Sequence, residues 1–316
     1  MVLKTNNRSE SNAATVDRFR GCLVGLAVGD AVGTTLEFKA RGTFNEISDM
    51  NGGGPFSLNA GEWTDDTSMA LCLGASLLHK GTFDAADQMN RYCNWRQLGY
   101  MSSNGICFDI GMTVSAALDR YLSSGDPMAG SEDPNSAGNG SIMRLAPVAI
   151  FYYPSLKAIK TNSRLSSMTT HGAQECLDAC QLLGEVLYRA FDSTSKPELF
   201  ADLPTEQSSD RMQSIAQSEW LNKSREEIRG SGYVADSLEA AFWCFASTES
   251  YRECILRAAN LGDDADTTAA IAGQIAGAYY GFEAIPEHWR EQLVMRDEIV
   301  EMADLLSAAT PNPDDL

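Results

Sequence analysis

Two segments of the chain carry glycine at every fourth position. In GCLVGLAVGDAVG these are Gly21, Gly25, Gly29 and Gly33, and in AGQIAGAYYG they are Gly273, Gly277 and Gly281. Four residues is close to one helical turn, so each set forms a stripe along one helix face. An interior glycine costs about 1 kcal/mol relative to alanine, a penalty that close backbone approach offsets, as small residues do in membrane bundles. The pattern therefore predicts two glycine-striped helices packed against one another at the centre of the fold.

Most of the remaining chain reads at helical period. DDTSMALCLGASLLHK (65–80), FDIGMTVSAALDRYL (108–122), CLDACQLLGEVLYRAF (176–191) and DSLEAAFWCFAS (236–247) repeat apolar residues three and four apart. Alternating strand patterns are scarce. The expectation is an all-α protein, a single compact multi-helix bundle over 16–307. Residues 1–15, polar and poor in apolar side chains, read as a disordered tail, and 308–316 as a flexible C-terminal one. The Ser-, Glu-, Lys- and Gln-rich stretch 193–230 reads as a solvated insertion of loops and helix.

Lys and Arg number 24 against 43 Asp and Glu, a net charge of -19, which repels phosphate backbones and anionic membranes. No stretch reaches the roughly 20 uninterrupted apolar residues of a membrane span, and MVLKTNNRSESNAATVDRF has no signal-peptide core. A soluble, cytoplasmic protein is expected, with neither nucleic acid nor membrane as partner. Eight cysteines without a CxxC pair fit reduced thiols.

That acidic balance is not spread evenly. LGDDADTTAAIAG (261–273) sets Asp263, Asp264 and Asp266 ahead of a small apolar run, and GEWTDDTSMAL sets Asp65 and Asp66 between Thr64 and Thr67 at another helix start. Helix capping accounts for one aspartate at each place, by up to about 1 kcal/mol per residue; it does not account for clusters. Two Thr/Asp clusters suit a hard divalent cation, with water completing the octahedron. Mg2+ is the favoured ion, Mn2+ or Ca2+ the alternatives. The spacing is not that of an EF-hand, and GxxxxGK[ST], HExxH and GxSxG are all missing. Only His79, His171 and His288 are present, which disfavours zinc catalysis and a Ser-His-Asp triad.

GNGSIMR offers an anion site inside so acidic a protein. Asn139, Gly140 and Ser141 are read as opening a helix, whose free N–H groups attract a diphosphate without importing charge; an ordinary glycine turn is the alternative. Arg144 is left between an acid partner and a ligand.

Six stretches, in order, now carry a resemblance: GCLVGLAVGDAVGTTLEF, GEWTDDTSMAL, GNGSIMRLAPVAIF, MTTHGAQECLDAC, GSGYVADSLEAAFWCF and LGDDADTTAAIAGQIAGAYYG. Together they resemble the ADP-ribosylglycohydrolase family, which includes the dinitrogenase-reductase-activating glycohydrolases and the ADP-ribosylarginine hydrolases. The resemblance runs from about residue 18 to about residue 282. It implies an all-helical orthogonal bundle with two Mg2+ ions at the mouth of a cleft. Thr64, Asp65 and Asp66 would hold one cluster of ligands and Asp264, Asp266 and Thr267 the other. Glu37 matches the family's catalytic or metal-proximal glutamate, Asp109 an acid beside the scissile bond, and His171 a position near the distal ribose and pyrophosphate. Tyr233 is a candidate to stack on adenine. Met112 stands where nitrogenase-type members carry an amide.

The implied activity is Mg2+-dependent release of ADP-ribose from arginine side chains of an ADP-ribosylated protein, without a covalent sugar intermediate. Two alternatives stay open. One is the same fold acting on O-acetyl-ADP-ribose or ADP-ribosylserine. The other is an immunity protein that also binds and blocks an ADP-ribosyltransferase toxin, with the polar start of the chain as the plug.

Overall fold

The computed structural model describes residues 7–204 and 209–311, and all of its regular structure among these is helical. The α-helices are α1 (Asn7–Gly33), α2 (Asp65–Lys80), α3 (Ala85–Leu98), α4 (Met112–Ser124), α5 (Ala146–Tyr152), α6 (Leu156–Met168) and α7 (Gln174–Ala190) in the first part. They continue as α8 (Lys196–Phe200), α9 (Asp210–Ala216), α10 (Val234–Ala246), α11 (Tyr251–Ala259), α12 (Ala265–Tyr280), α13 (Glu287–Gln292) and α14 (Arg296–Ala308). Extended pairing is limited, among the described residues, to isolated bridges such as Gly138 with Tyr233 and Ser131 with His171.

The glycine-striped helices pair antiparallel at the centre, as predicted. A Cβ on Gly21 would lie 2.3 Å from the Gly277 carbonyl oxygen, and one on Gly25 would lie 2.4 Å from that of Gly273. The stripe continues with alanine on the α12 side: Gly29 abuts Ala269 and Gly33 abuts Ala265. Gly281 also abuts Gly21 and ends α12 at φ +87 and ψ 169, a backbone that suits glycine. The stretch Ala13–Leu36, most of it in α1, is long and apolar enough to cross a membrane, but its most apolar part is buried inside the protein, where α1 is a core helix.

Around this pair, helix ends follow their local chemistry. Gly81, Gly99 and Gly125 adopt left-handed conformations that close α2, α3 and α4, each donating its N–H to the carbonyl four residues back. α4 starts at Met112 and not at Phe108, because Asp109 sits at φ +59 and breaks the helical path.

Two expectations about organisation need correction. Residues 7–15 are helical, because polar residues can extend a helix already nucleated in the core at one hydrogen bond per residue. Residues 1–6 and 312–316 of the expected tails lie outside the described residues. The insertion at 193–230 is not simply solvated: Leu199, Phe200, Met212 and Trp220 are buried, with Phe200 and Trp220 ring centroids 4.9 Å apart.

Candidate active site

The N-termini of α2 and α12, 200 residues apart in sequence, converge on one cleft. Neither helix is capped by its own first residue. Thr64 precedes α2 and Asp264 precedes α12, yet neither side chain makes a cap bond. Acids on the α1 segment do this from outside. Asp30 Oδ1 accepts from the Thr64 N–H and Oγ1, both at 2.9 Å, and its Oδ2 from the Thr67 N–H at 3.1 Å and Oγ1 at 2.6 Å. Glu37 Oε2 accepts from the N–H groups of Ala265 at 2.9 Å and Asp266 at 3.4 Å. These acceptors take N–H groups that each helix start leaves without an intrahelical partner; on α12 one more, that of Thr267, goes to Asp266 Oδ1 at 2.8 Å, and Asp66 and the second Asp266 oxygen are spared for the cleft.

The two clusters thereby become one. Thr64 Oγ1 lies 2.9 Å from Asp30 Oδ1, 3.2 Å from Asp66 Oδ2 and 3.4 Å from Asp266 Oδ2. One hydroxyl proton cannot serve three carboxylates. Oxygens of Asp30, Asp66 and Asp266 fall within 4.8 Å of one another, and so do those of Glu37, Asp264 and Asp266. Asp266 belongs to both groups and joins them. Asp30 is the member sequence reasoning missed. Its two oxygens already accept four hydrogen bonds, so it orients Thr64 and Thr67 while Asp66 and Asp266 remain available to an ion.

Burial and like charge raise these acids together. Asp30 and Asp264 are pushed up to about 7, first by burial and then by Asp266. For Asp264, hydrogen bonds from Asn139 and Thr267 oppose the rise. Asp109 is pushed to about 11 by burial, Asp65 and Asp266. Asp65, Asp66 and Glu37 are raised strongly, again with burial foremost. Among the described residues no ion pair with Lys or Arg reaches any of these groups. Asp66 Oδ1 is buried without any partner. Hard anionic oxygens, crowded, dry and uncompensated, are the donor set a divalent cation takes.

The cleft above them has a volume of about 490 Å³, within the range of small-molecule sites. Glu37, Asp65, Asp109, Asp264, Asp266 and Thr267 line it; Thr64 and Asp66 lie fully buried beneath. A larger cavity of about 920 Å³ among Lys196, Phe200, Tyr279 and Tyr280 holds no such convergence of acids.

The expected ligand-side residues divide. Gly140, Asn139 and His171 line the cleft. Asn139 Nδ2 donates to Asp264 Oδ2 and to Ser237 Oγ, each at 2.8 Å, so it holds a carboxylate of the acidic cluster in place. Gly140 is glycine for space: a Cβ there would lie 2.8 Å from His171 Cε1. His171 Nδ1 is 2.8 Å from Thr170 Oγ1, and burial together with nearby Arg144 pulls its pKa down to about 3, leaving it neutral.

Four expectations in this region are corrected. Asn139–Ser141 do not open a helix. The chain turns there, with Ile142 N–H on the Asn139 carbonyl at 3.0 Å, and α5 begins only at Ala146, where Pro147 suits a first helical turn. Ser141 is buried in the core and does not line the cleft. Tyr233 also stands outside the lining, its phenol donating to Glu175 at 2.6 Å. Arg144 meets neither an acid nor the cleft: its guanidinium donates to the carbonyls of Gly140 and Ser166 and to Thr170 Oγ1, and lies over the Tyr92 ring.

Fold and site define an all-helical protein with a cleft of crowded acids that could hold a cation. The chain belongs to the ADP-ribosylglycohydrolase family, whose model matches residues 11–315. It is 45% identical over 304 residues to a protein of Serratia proteamaculans (strain 568) named "ADP-ribosylarginine hydrolase Tri1", covering 95% of this chain and 81% of the relative. A protein of the same name from Pseudomonas putida (strain GB-1) is 47% identical over 302 residues, with the same coverage. Among solved structures, one titled "ADP-ribosylglycohydrolase-related protein complex" superposes with a TM-score of 0.82 at 39% identity, covering 93% of this chain and 98% of that one.

Proposed function

We propose that this enzyme removes ADP-ribose from arginine side chains of ADP-ribosylated proteins, using two Mg2+ ions, with Mn2+ as a substitute. The observation that carries the reading is the fusion of the α2 and α12 clusters, seen in the 3.4 Å approach of Thr64 Oγ1 to Asp266 Oδ2. Thr64, Asp65 and Asp66 would hold one ion and Asp264, Asp266 and Thr267 the other. Bound there, the ions supply a Lewis acid for the ribose hydroxyls and a water of lowered pKa.

The chain's own groups do the rest. Glu37 Oε2 is occupied by the Ala265 and Asp266 N–H groups, which leaves Oε1 to take a proton from the attacking water. Asp109, in the same cleft, hands a proton to the departing nitrogen, and no covalent sugar adduct is needed. The acidic walls favour the cationic guanidinium of arginine, which agrees with the arginine-directed names of the two bacterial relatives. Eight free cysteines suit a reducing compartment, and the reading places the enzyme in the cytoplasm.

A release assay tests this directly. Arginine-ADP-ribosylated protein and a serine-linked peptide are incubated side by side, with Mg2+ or with EDTA, and free ADP-ribose is measured. Release from arginine only when Mg2+ is present is expected. Equal release in EDTA, or faster release from serine, overturns the reading.

A further inference from the structure

Phe38 follows Glu37 directly and lines the same cleft, yet it is 69% exposed. Its backbone sits at φ +60, a left-handed conformation that is a genuine outlier for a bulky residue. Two backbone hydrogen bonds, both 2.8 Å, hold it there: the Phe38 N–H donates to the Asp263 carbonyl, and the Asp263 N–H to the Lys39 carbonyl. Asp263 is itself left-handed at φ +58. This double clasp ties the Glu37 loop to the Asp264 loop and presents a ring that is largely exposed. The Phe38 and Phe56 centroids are 6.4 Å apart at 73°, and Phe56 and Phe108 follow at 5.3 Å and 53°. Phe108 immediately precedes Asp109. An aromatic arch therefore runs from the neighbour of one cleft acid to the neighbour of the other, and strain of this kind concentrates where a site needs a group held out.

We infer that this arch, with Phe38 as its exposed face, is the acceptor subsite: it stacks on the planar guanidinium of the modified arginine and selects that linkage. The inference rests on the arginine reading above and adds the residue that recognises the acceptor. Carboxylates draw the cation into the mouth of the cleft, and a ring face takes its plane. A serine linkage offers neither charge nor plane, and an acetyl ester offers no charge.

The test compares Phe38→Ala, Phe38→Gly and Phe38→Tyr with the wild type on an ADP-ribosylarginine peptide, with ADP-ribose as a product inhibitor. Phe38→Ala and Phe38→Gly are expected to lower kcat/KM by roughly tenfold, mainly through KM, the scale of one stacked cation. Phe38→Tyr keeps the ring and restores activity to within about threefold. The inhibition constant of ADP-ribose, bound on the ion side, moves less than about twofold. Phe38→Gly keeps the backbone clasp and tolerates φ +60, so it folds at least as stably as Phe38→Ala. Unchanged kcat/KM in Phe38→Gly, or a rise in the ADP-ribose inhibition constant that parallels the loss, overturns the inference. A wild type inactive on arginine but active on another linkage sinks the arginine reading first, and this one with it.

Discussion

Replacing Gly33 with alanine should separate the structural work of the glycine seam from its service to the ion site. A Cβ at Gly33 would lie 2.4 Å from the Ala265 carbonyl oxygen, 2.5 Å from Asp266 Cα and 2.7 Å from Asp266 N, where ordinary contact begins at 3.4 Å. Helices α1 and α12 must part by about 1 Å to admit it. Overpacking of this order costs about 1–3 kcal/mol, of which better helix propensity returns up to about 1 kcal/mol. A Tm drop of a few degrees is expected. The ion site should suffer more, because Mg–O distances hold to within about 0.2 Å and the displaced residue is Asp266 itself, so Mg2+ affinity falls at least about tenfold. Gly21→Ala is the control. Its Cβ meets the Gly277 carbonyl oxygen at 2.3 Å, a clash of the same severity, but about 18 Å further along α1. It should lower the Tm similarly and leave Mg2+ affinity within about twofold. Denaturation and calorimetric titration of both variants decide the matter. Mg2+ affinity unchanged in Gly33→Ala, or lost equally in both, refutes the argument that the seam sets the spacing of the two clusters.

Three further outcomes follow from the same geometry. Asp30→Asn removes an acceptor from the Thr64 and Thr67 donors, so kcat/KM should fall about 10- to 100-fold; activity equal to wild type at saturating Mg2+ would show that Asp30 does not position the ligands. Asp109→Asn should lower kcat by at least about 100-fold as a lost proton donor while ADP-ribose affinity changes little, and a loss confined to binding argues against that role. The third concerns pH. Asp30 and Asp264, at about 7 when folded against an ordinary 3.8, keep protons that the unfolded chain has released. The cation-free protein therefore loses stability from these groups as pH rises from about 4 to about 7, and Mg2+, which displaces those protons, stabilises it increasingly over the same window. The readout is the Tm with Mg2+ minus the Tm in EDTA across pH 4–8, since His171, held near 3, acts in both conditions alike. A difference that stays flat or shrinks with pH contradicts the assignment.

Much of this was legible in the chain because two periodic signals were strong. Helix α2 runs over 65–80 as its apolar spacing predicts, and the glycine stripes lie against each other. The Thr/Asp clusters announced a shared site through a repulsion that capping cannot explain. Sequence reasoning failed where one residue decides the path. Asp109 at φ +59 delays α4, and at Asn139 a turn stands where a helix was read, the helix start being marked further on by Pro147. Ser141 and Tyr233 were carried over on motif alone, and motif tells a cleft wall neither from the core behind it, where Ser141 lies, nor from a neighbouring half-buried position, where Tyr233 lies. Asp30 was hidden by its surroundings: an acid inside GLAVGDAVG reads as an exposed position, yet α1 is buried at every residue over 21–33. That mismatch, a charge in a segment too apolar to solvate it, is the signal that would have found it.

Asp30 and Glu37 also explain why the ligands are free to be ligands. A helix start normally spends its first Thr or Asp on its own N–H groups. Here both starts are capped by acids three residues before and four residues after the end of α1 at Gly33. The helix that is densest with glycine thus carries the caps, and the close seam it makes with α12 brings them within hydrogen-bond reach. The arrangement places seven acids, Asp30, Glu37, Asp65, Asp66, Asp109, Asp264 and Asp266, around one cleft with no cationic side chain among them. Without cations their charge is relieved by protons, as the raised pKa values of Asp30, Asp109 and Asp264 indicate. Under the proposed function, cations would replace those protons and turn the same carboxylates into a rigid cradle, so ion binding and site assembly would be one event on a scaffold that the core has already fixed.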